Sequence, residues 1–320
     1  MKQFCLRLTG LAVALTLLVG CGKTPAQQPQ PQPANPPEQP AAVFTDALGN
    51  TVTVQKADVV VSLMGSFAEL WLIAGGALAG VTDDAYSERG LALPETVALL
   101  GSYKTPSVEK IISLAPDLVL LSADTDQHVA LGETLRAAGV GPAYFSVTTF
   151  AEYLDTLKLF TDITGRQDLY EQNGLAVGER IEAAIARAKG GTAPPPSVLF
   201  IRAFSTAYRA LGSDSMTGAM LHDLGAVNIA DQTPSLLKDL SMEAIIAADP
   251  DYILVVTMGA DENRALEVLR QGLQSNPAWE GLSAVRSGRY HLLPRELFHY
   301  KPNARWGESY EQLAQLLYGE

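Results

Sequence analysis

The densest gathering of aromatic and cationic side chains in this chain is Phe298-His299-Tyr300-Lys301-Pro302-Asn303-Ala304-Arg305-Trp306. Lys301 and Arg305 can neutralise anionic oxygens, Arg305 with a planar fork suited to carboxylates. His299 adds an imidazole to the same loop. The same residues have ordinary uses, Phe298 and Trp306 as core and Arg305 as a helix cap. Sets that perform covalent chemistry are poorly provided. There is no Gly-x-Gly-x-x-Gly, no Gly-x-Ser-x-Gly and no His-x-x-x-His among His128, His222, His291 and His299. Gly22-Lys23-Thr24 imitates the end of a phosphate-binding loop, but Leu17 stands where that loop needs glycine. A resident transition-metal site, a cofactor and an enzymatic reaction are therefore not expected.

Elements that would position such groups follow from the apolar pattern. Val59–Leu63, Leu118–Leu121, Val198–Ile201, Tyr252–Val256 and Tyr290–Leu293 read as buried strands. Helical patterns stand between them: Phe67–Ala74, His128–Ala138, Met216–Leu224, Arg264–Leu273 and the closing Glu308–Leu317. Strand alternating with helix predicts parallel sheets covered on both faces. Ligands of such sheets bind beyond the strand C-termini. That rule selects Ser66, Phe67, Tyr103, Asp124, Arg202 and Tyr208, together with Phe298, His299, Lys301, Arg305 and Trp306 of the late loop.

The pattern occurs twice. Ser107-Val108-Glu109-Lys110-Ile111-Ile112-Ser113-Leu114-Ala115-Pro116-Asp117 aligns with Ser241-Met242-Glu243-Ala244-Ile245-Ile246-Ala247-Ala248-Asp249-Pro250-Asp251. Each copy reads as a serine-capped helix whose Ile pair packs inward, then a Pro-Asp turn, then a strand. The expected fold is α/β, two similar lobes with mostly parallel sheets joined by a long interdomain helix. The lobes are placed at 44–148 and 191–320, with linking helices over 149–190. Within that link, Phe150–Ile163 has helical spacing stopped at Gly165. A second helix over Gln167–Lys189 would be roughly 35 Å long and act as a stiff spine.

The N-terminus carries a different message. Lys2 and Arg7 precede the apolar run Leu8–Val19, too short to span a bilayer, and Leu18-Val19-Gly20-Cys21 follows. This predicts a signal peptide over 1–20 and acylation of Cys21 at a lipobox. Residues 21–43 are rich in Pro and Gln and predict a tether. The other cysteine, Cys5, falls in the segment to be removed. A formal net charge of −12 without a Lys/Arg stripe argues against nucleic acid as a partner.

Taken with Val60–Phe67, Gly101-Ser102-Tyr103, Pro106–Ile111, Gly218, Leu221, Gly225, Asn228 and Asn276-Pro277-Ala278-Trp279, the two repeats carry a resemblance over residues 45–318. The chain resembles the solute-binding lipoproteins of iron-complex and cobalamin importers. The resemblance implies a ligand held between the lobes: a ferric siderophore, haem or cobalamin. It also implies a monomer on the outer membrane face that delivers to an ATP-binding-cassette permease with its ATPase. One exposed Glu per lobe would dock on permease arginines, and Glu109 and Glu243 hold those positions. Arg202, Lys301 and Arg305 would then neutralise an anionic chelate, while Tyr103, Tyr208 and His299 stack on it or ligate its metal. A sensory or adhesion lipoprotein, or an enzyme on the same scaffold, are the competing expectations.

Overall fold

The computed structural model describes residues 41–192 and 194–319. The expected signal peptide, Cys21 and most of the expected tether lie outside the described residues. A hairpin of Ala42–Thr45 and Thr51–Val54 opens the described chain, so its first strand begins inside the segment read as tether. The sequence reading missed this hairpin.

Each lobe is built on one sheet. The first has five parallel strands, in the order Ala98–Leu99, Gly80–Val81, Val60–Ser62, Leu118–Ser122, Pro142–Phe145. The second has Tyr208–Ala210, Ser197–Phe204, Tyr252–Met258 and Tyr290–Leu292 in that order, with Val227–Asn228 also pairing to the start of Ser197–Phe204. Only Tyr208–Ala210 runs antiparallel. The fold is therefore α/β with mostly parallel sheets, as the alternation of elements predicts.

The duplication is visible in detail. Ser107 and Ser241 each accept a hydrogen bond from the backbone N–H three residues on, at Lys110 and Ala244. Both helices end at a non-glycine residue with positive φ, Ala115 at 47° and Asp249 at 36°. The last aspartate of each repeat ties down the start of its lobe's central strand. Asp117 accepts from the N–H groups of Asp58 and Val59, and Asp251 from the N–H and hydroxyl of Ser197. One expectation is corrected. Ile111 and Ile245 are fully buried, but Ile112 and Ile246 are 37% and 46% exposed. Adjacent helical residues point about 100° apart, so both members of an Ile pair cannot enter one core.

The two faces of each sheet feed different cores, because strand side chains alternate. Val61, Val119 and Leu121 pack in a cluster of the first lobe, and Leu199, Ile201, Ile253 and Val255 in one of the second. The opposite faces meet in a single cluster. Val60, Leu118 and Leu120 join Tyr153, Leu157, Phe160, Val177, Ile181 and Ala184 of the link, and these join Val198, Phe200, Leu254 and Val256.

The link itself differs from a plain spine. Phe150–Thr164 is a helix with a Thr149/Glu152 capping box, stopped at Gly165 with φ 72°. Helix resumes at Gln167, widens to a π turn over Glu171–Leu175, and continues as Ala176–Gly190. The π turn holds Gly174, where a Cβ would stand 2.8 Å from the Leu154 side chain. The wider turn thus lets the two linking helices approach closely. Arg180 of the spine pairs with Glu311 of the closing helix Trp306–Tyr318. Given this shared core, small-angle scattering profiles with and without ligand are expected to superimpose. A marked fall in the radius of gyration on binding would show that the lobes hinge.

Candidate ligand site

Two short segments of the second lobe bring the cations together. Strand Ser197–Phe204 carries Arg202 near its C-terminal end. After strand Tyr290–Leu292, Pro294 starts a single helical turn, Arg295–Phe298. The N–H groups of His299 and Tyr300 both return to the Arg295 carbonyl, at 2.9 and 2.8 Å. This folds His299, Tyr300 and Lys301 back beside Arg295.

His299 is at the centre. Its imidazole is pushed down to about 3, by burial first and then by Arg202, Arg295 and Lys301. It is therefore neutral at physiological pH, and its Nδ1 is buried without a partner. Arg202 is held down to about 10, by burial and then by Arg209, and its buried Nε also lacks a partner. Among the described residues Arg202 forms no ion pair. Arg295 lies over the Tyr300 ring at 5.1 Å and donates to its hydroxyl, yet its Nε is buried and unpartnered. Burial raises the Tyr300 phenol, with Glu88 the next contributor.

Lys301 reaches the first lobe. Its ammonium stands 5.6 Å from the Phe67 ring centroid and 4.0 Å from Asp124, and burial lowers its pKa. Asp124 is exposed and also accepts a hydrogen bond from Ser146. Asn303, fully buried with φ 51°, donates to the Ser66 carbonyl at 3.0 Å and to Glu69 at 2.6 Å. Glu69 in turn pairs with Arg89. Burial pushes the Glu88 carboxyl up, with Asp84 adding to it and Arg295 and Arg89 opposing. Buried polar groups normally find partners; among the described residues Arg202 Nε, Arg295 Nε and His299 Nδ1 have none, nor have Arg89 Nε and Asn303 Oδ1 beside them, which makes this cluster the candidate site.

The structure separates the expected residues. Arg202, His299 and Lys301 gather, and Asp124 faces Lys301; Phe67 is fully buried in the shared core and meets the cluster only through its ring beside Lys301, and the Ser66 carbonyl is occupied by Asn303. Three are corrected to structural roles. Phe298 and Trp306 are each 1% exposed in the shared core, and Trp306 packs edge-on to Phe150. Arg305 is exposed and forked onto Glu308 one turn ahead, so its guanidinium is already engaged. Tyr208 packs its ring against Gly272 and lines a cavity with Leu236–Leu240. Tyr103 is half-buried; its carbonyl accepts from His128 Nε2, and its ring lies 5.6 Å from the Lys104 ammonium. Arg295, Tyr300, Asn303, Glu69 and Arg89 complete the site without having been selected. Density of cations in the late loop could have pointed to Arg295, which lies four residues before His299. Nothing in the sequence singles out Arg89.

An apolar groove of 440 Å³ runs between strand Tyr290–Leu292 and the closing helix. Its charged lining is Glu308 and Glu311, which suits an anion poorly. The cation cluster is the stronger candidate because its polar atoms lack partners.

With this geometry, known proteins are informative. Residues 60–297 match the family described as periplasmic binding protein. A putative ABC transporter substrate-binding lipoprotein, YhfQ of Bacillus subtilis (strain 168), is 26% identical over 310 residues, covering 91% of each chain. The Fe(3+)-citrate-binding protein YfmC of the same organism is 23% identical over 62% of this chain and 59% of its own. Among solved structures, the periplasmic heme-binding protein RhuT from Roseiflexus sp. RS-1 superimposes with a TM-score of 0.65 at 25% identity, over 82% of this chain and 98% of that one. Two lobes on parallel sheets, a helical link and a matched stretch spanning most of both lobes agree, and the chain belongs to the periplasmic binding protein family, as a substrate-binding protein of the kind that serves ATP-binding-cassette transporters.

Proposed function

We propose that this protein binds an anionic ferric chelate between its lobes and delivers it to an importer permease. The carrying observation is the part-buried set Arg202, Arg295 and Lys301, in which nitrogens of both arginines and of the central His299 have no partner among the described residues. A desolvated guanidinium without an ion pair, Arg202, next to an incompletely bonded Arg295, favours a ligand that supplies anionic oxygens. Ferric carboxylate, catecholate and hydroxycarboxylate chelates have that chemistry, and so do the ligands named for two relatives, Fe(3+)-citrate and petrobactin. Haem is the second reading, favoured by the adjacent His299 and Tyr300 rings, 5.2 Å apart, as metal donors above cations for the propionates. Acylation at Cys21 would hold the protein at the outer face of the membrane, and Glu109 and Glu243 would meet the permease. Binding rather than catalysis fits a site of cations without a nucleophile–base pair.

Absorbance and fluorescence titrations with ferric citrate, a ferric tricatecholate, haem and cyanocobalamin test this directly. Saturable binding of at least one anionic ferric chelate is expected, weakening as salt rises. Binding of cyanocobalamin alone, or of none of the four, would overturn the reading.

A further inference from the structure

Two isoleucines of the repeat, Ile112 and Ile246, are 37% and 46% exposed. Ile112 and Ile246 occupy the same position in the two repeats, and each sits one helical turn beyond the repeat's glutamate. Residues three apart share a helix face. Each lobe therefore presents an exposed carboxylate beside an exposed branched apolar side chain: Glu109 with Ile112, Glu243 with Ile246. Their buried neighbours, Ile111 and Ile245, anchor both helices to the sheets from behind.

The carboxylates are not neutralised locally. Neither glutamate belongs to an ion pair among the described residues. Lys110, next to Glu109, is turned away and donates to the Leu99 carbonyl at 3.0 Å. The equivalent position of the second copy is Ala244, which carries no charge. Scattered exposed hydrophobic residues are common and need no explanation. Two at equivalent positions of an internal repeat, each beside an unpaired carboxylate, call for a partner that repeats as well.

We propose that Ile112 and Ile246 are apolar anchors of the docking surface, each seated in a pocket of a two-fold related permease pair next to a basic group that receives the glutamate. This rests on the importer reading above. The partner is a membrane protein with two copies of one site, since the mark has two copies and the core that joins the lobes fixes their separation. The glutamates set charge and register, whereas the isoleucines supply desolvated contact area and slow release. An exposed carboxylate by itself holds little in water, so a durable complex needs the apolar component.

The test uses the mature protein and its cognate permease–ATPase complex in nanodiscs. The double substitution Ile112→Ser, Ile246→Ser should weaken complex formation roughly 10- to 100-fold, mainly through faster release. Its residual binding should keep the salt dependence of the unmodified protein, because both glutamates remain. Ligand affinity and melting temperature should not change. The conservative pair Ile112→Val, Ile246→Val should stay near normal. If the serine variant docks with unchanged affinity while Glu109→Arg, Glu243→Arg fails to dock, the isoleucine assignment is wrong and the importer reading stands. If both variants dock normally, the isoleucine and glutamate assignments both fall; if the unmodified protein does not dock, the importer reading falls.

Discussion

Replacing Arg202 with Leu should stabilise the empty protein and disable the loaded one. The guanidinium is held down to about 10 by burial and by Arg209, against an ordinary value near 12.5. A base whose pKa is lowered by folding destabilises the fold while it is charged. That penalty is present at neutral pH and fades only as the pH rises through about 10. A leucine of similar bulk removes it, and a gain on the order of 1 kcal/mol follows from the usual cost of a buried unpaired charge. For a chain of this size that is roughly 2–4 °C in melting temperature. The same change removes a cation from the site. Hydrogen bonds to charged groups contribute about 1.5–3 kcal/mol each, so affinity for an anionic chelate should fall about 10- to 100-fold. Calorimetric melting and ligand titration of one variant read both effects. A leucine variant that loses stability and keeps its affinity would place Arg202 in an ordinary structural role.

Charge reversal at both Glu109 and Glu243, the proposed docking pair, should give the opposite division, with folding and ligand capture intact and uptake abolished. Glu109 and Glu243 are exposed at the first turn of capped helices, where a carboxylate contributes at most about 1 kcal/mol to the fold. Arginine at those positions should therefore cost little stability. Against a basic site on a partner, a reversed charge converts attraction to repulsion at short range, and like-charge juxtaposition costs several kcal/mol. With two contacts reversed, accumulation of radiolabelled iron by cells expressing Glu109→Arg, Glu243→Arg should drop to background. Each single reversal should retain part of the activity. Normal uptake in the double variant would remove the argument for docking through these residues.

The sequence is most legible where physics is local. Alternating apolar runs, a capping serine three residues before the N–H it binds, and glycine at the end of Phe150–Thr164 each depend on neighbours along the chain. The lobes and their link follow from such signals. The site does not, because its members meet across the two lobes. Arg89 and Glu69 pair on the first lobe and are met by Asn303 of the second, contacts separated by more than two hundred positions. The late loop illustrates both outcomes. Its composition points to His299 and Lys301, which lie in the cluster. The same composition includes Phe298 and Trp306, which fill the core, and Arg305, which a glutamate three residues ahead occupies. Type alone cannot separate these, since an aromatic ring suits a core as well as a ligand. The short hairpin Ala42–Val54 was hidden for another reason. Its strands are four residues each, with only half of each facing inward, and they follow a proline-rich run that masks the pattern.

The apolar core that runs unbroken through the link has a consequence for how a transporter tells full carriers from empty ones. If the lobes keep their spacing, the docking face of an unloaded molecule has the same shape as that of a loaded one. Empty carriers then occupy permeases as readily as full ones and act as competitors. Uptake would depend on the fraction of carriers that are loaded as well as on their number, so overproducing the protein when its ligand is scarce would slow import. Discrimination would have to come from what lies over the cleft itself: the ligand's own surface, and the Lys301 and Asn303 contacts that bridge the lobes beside it.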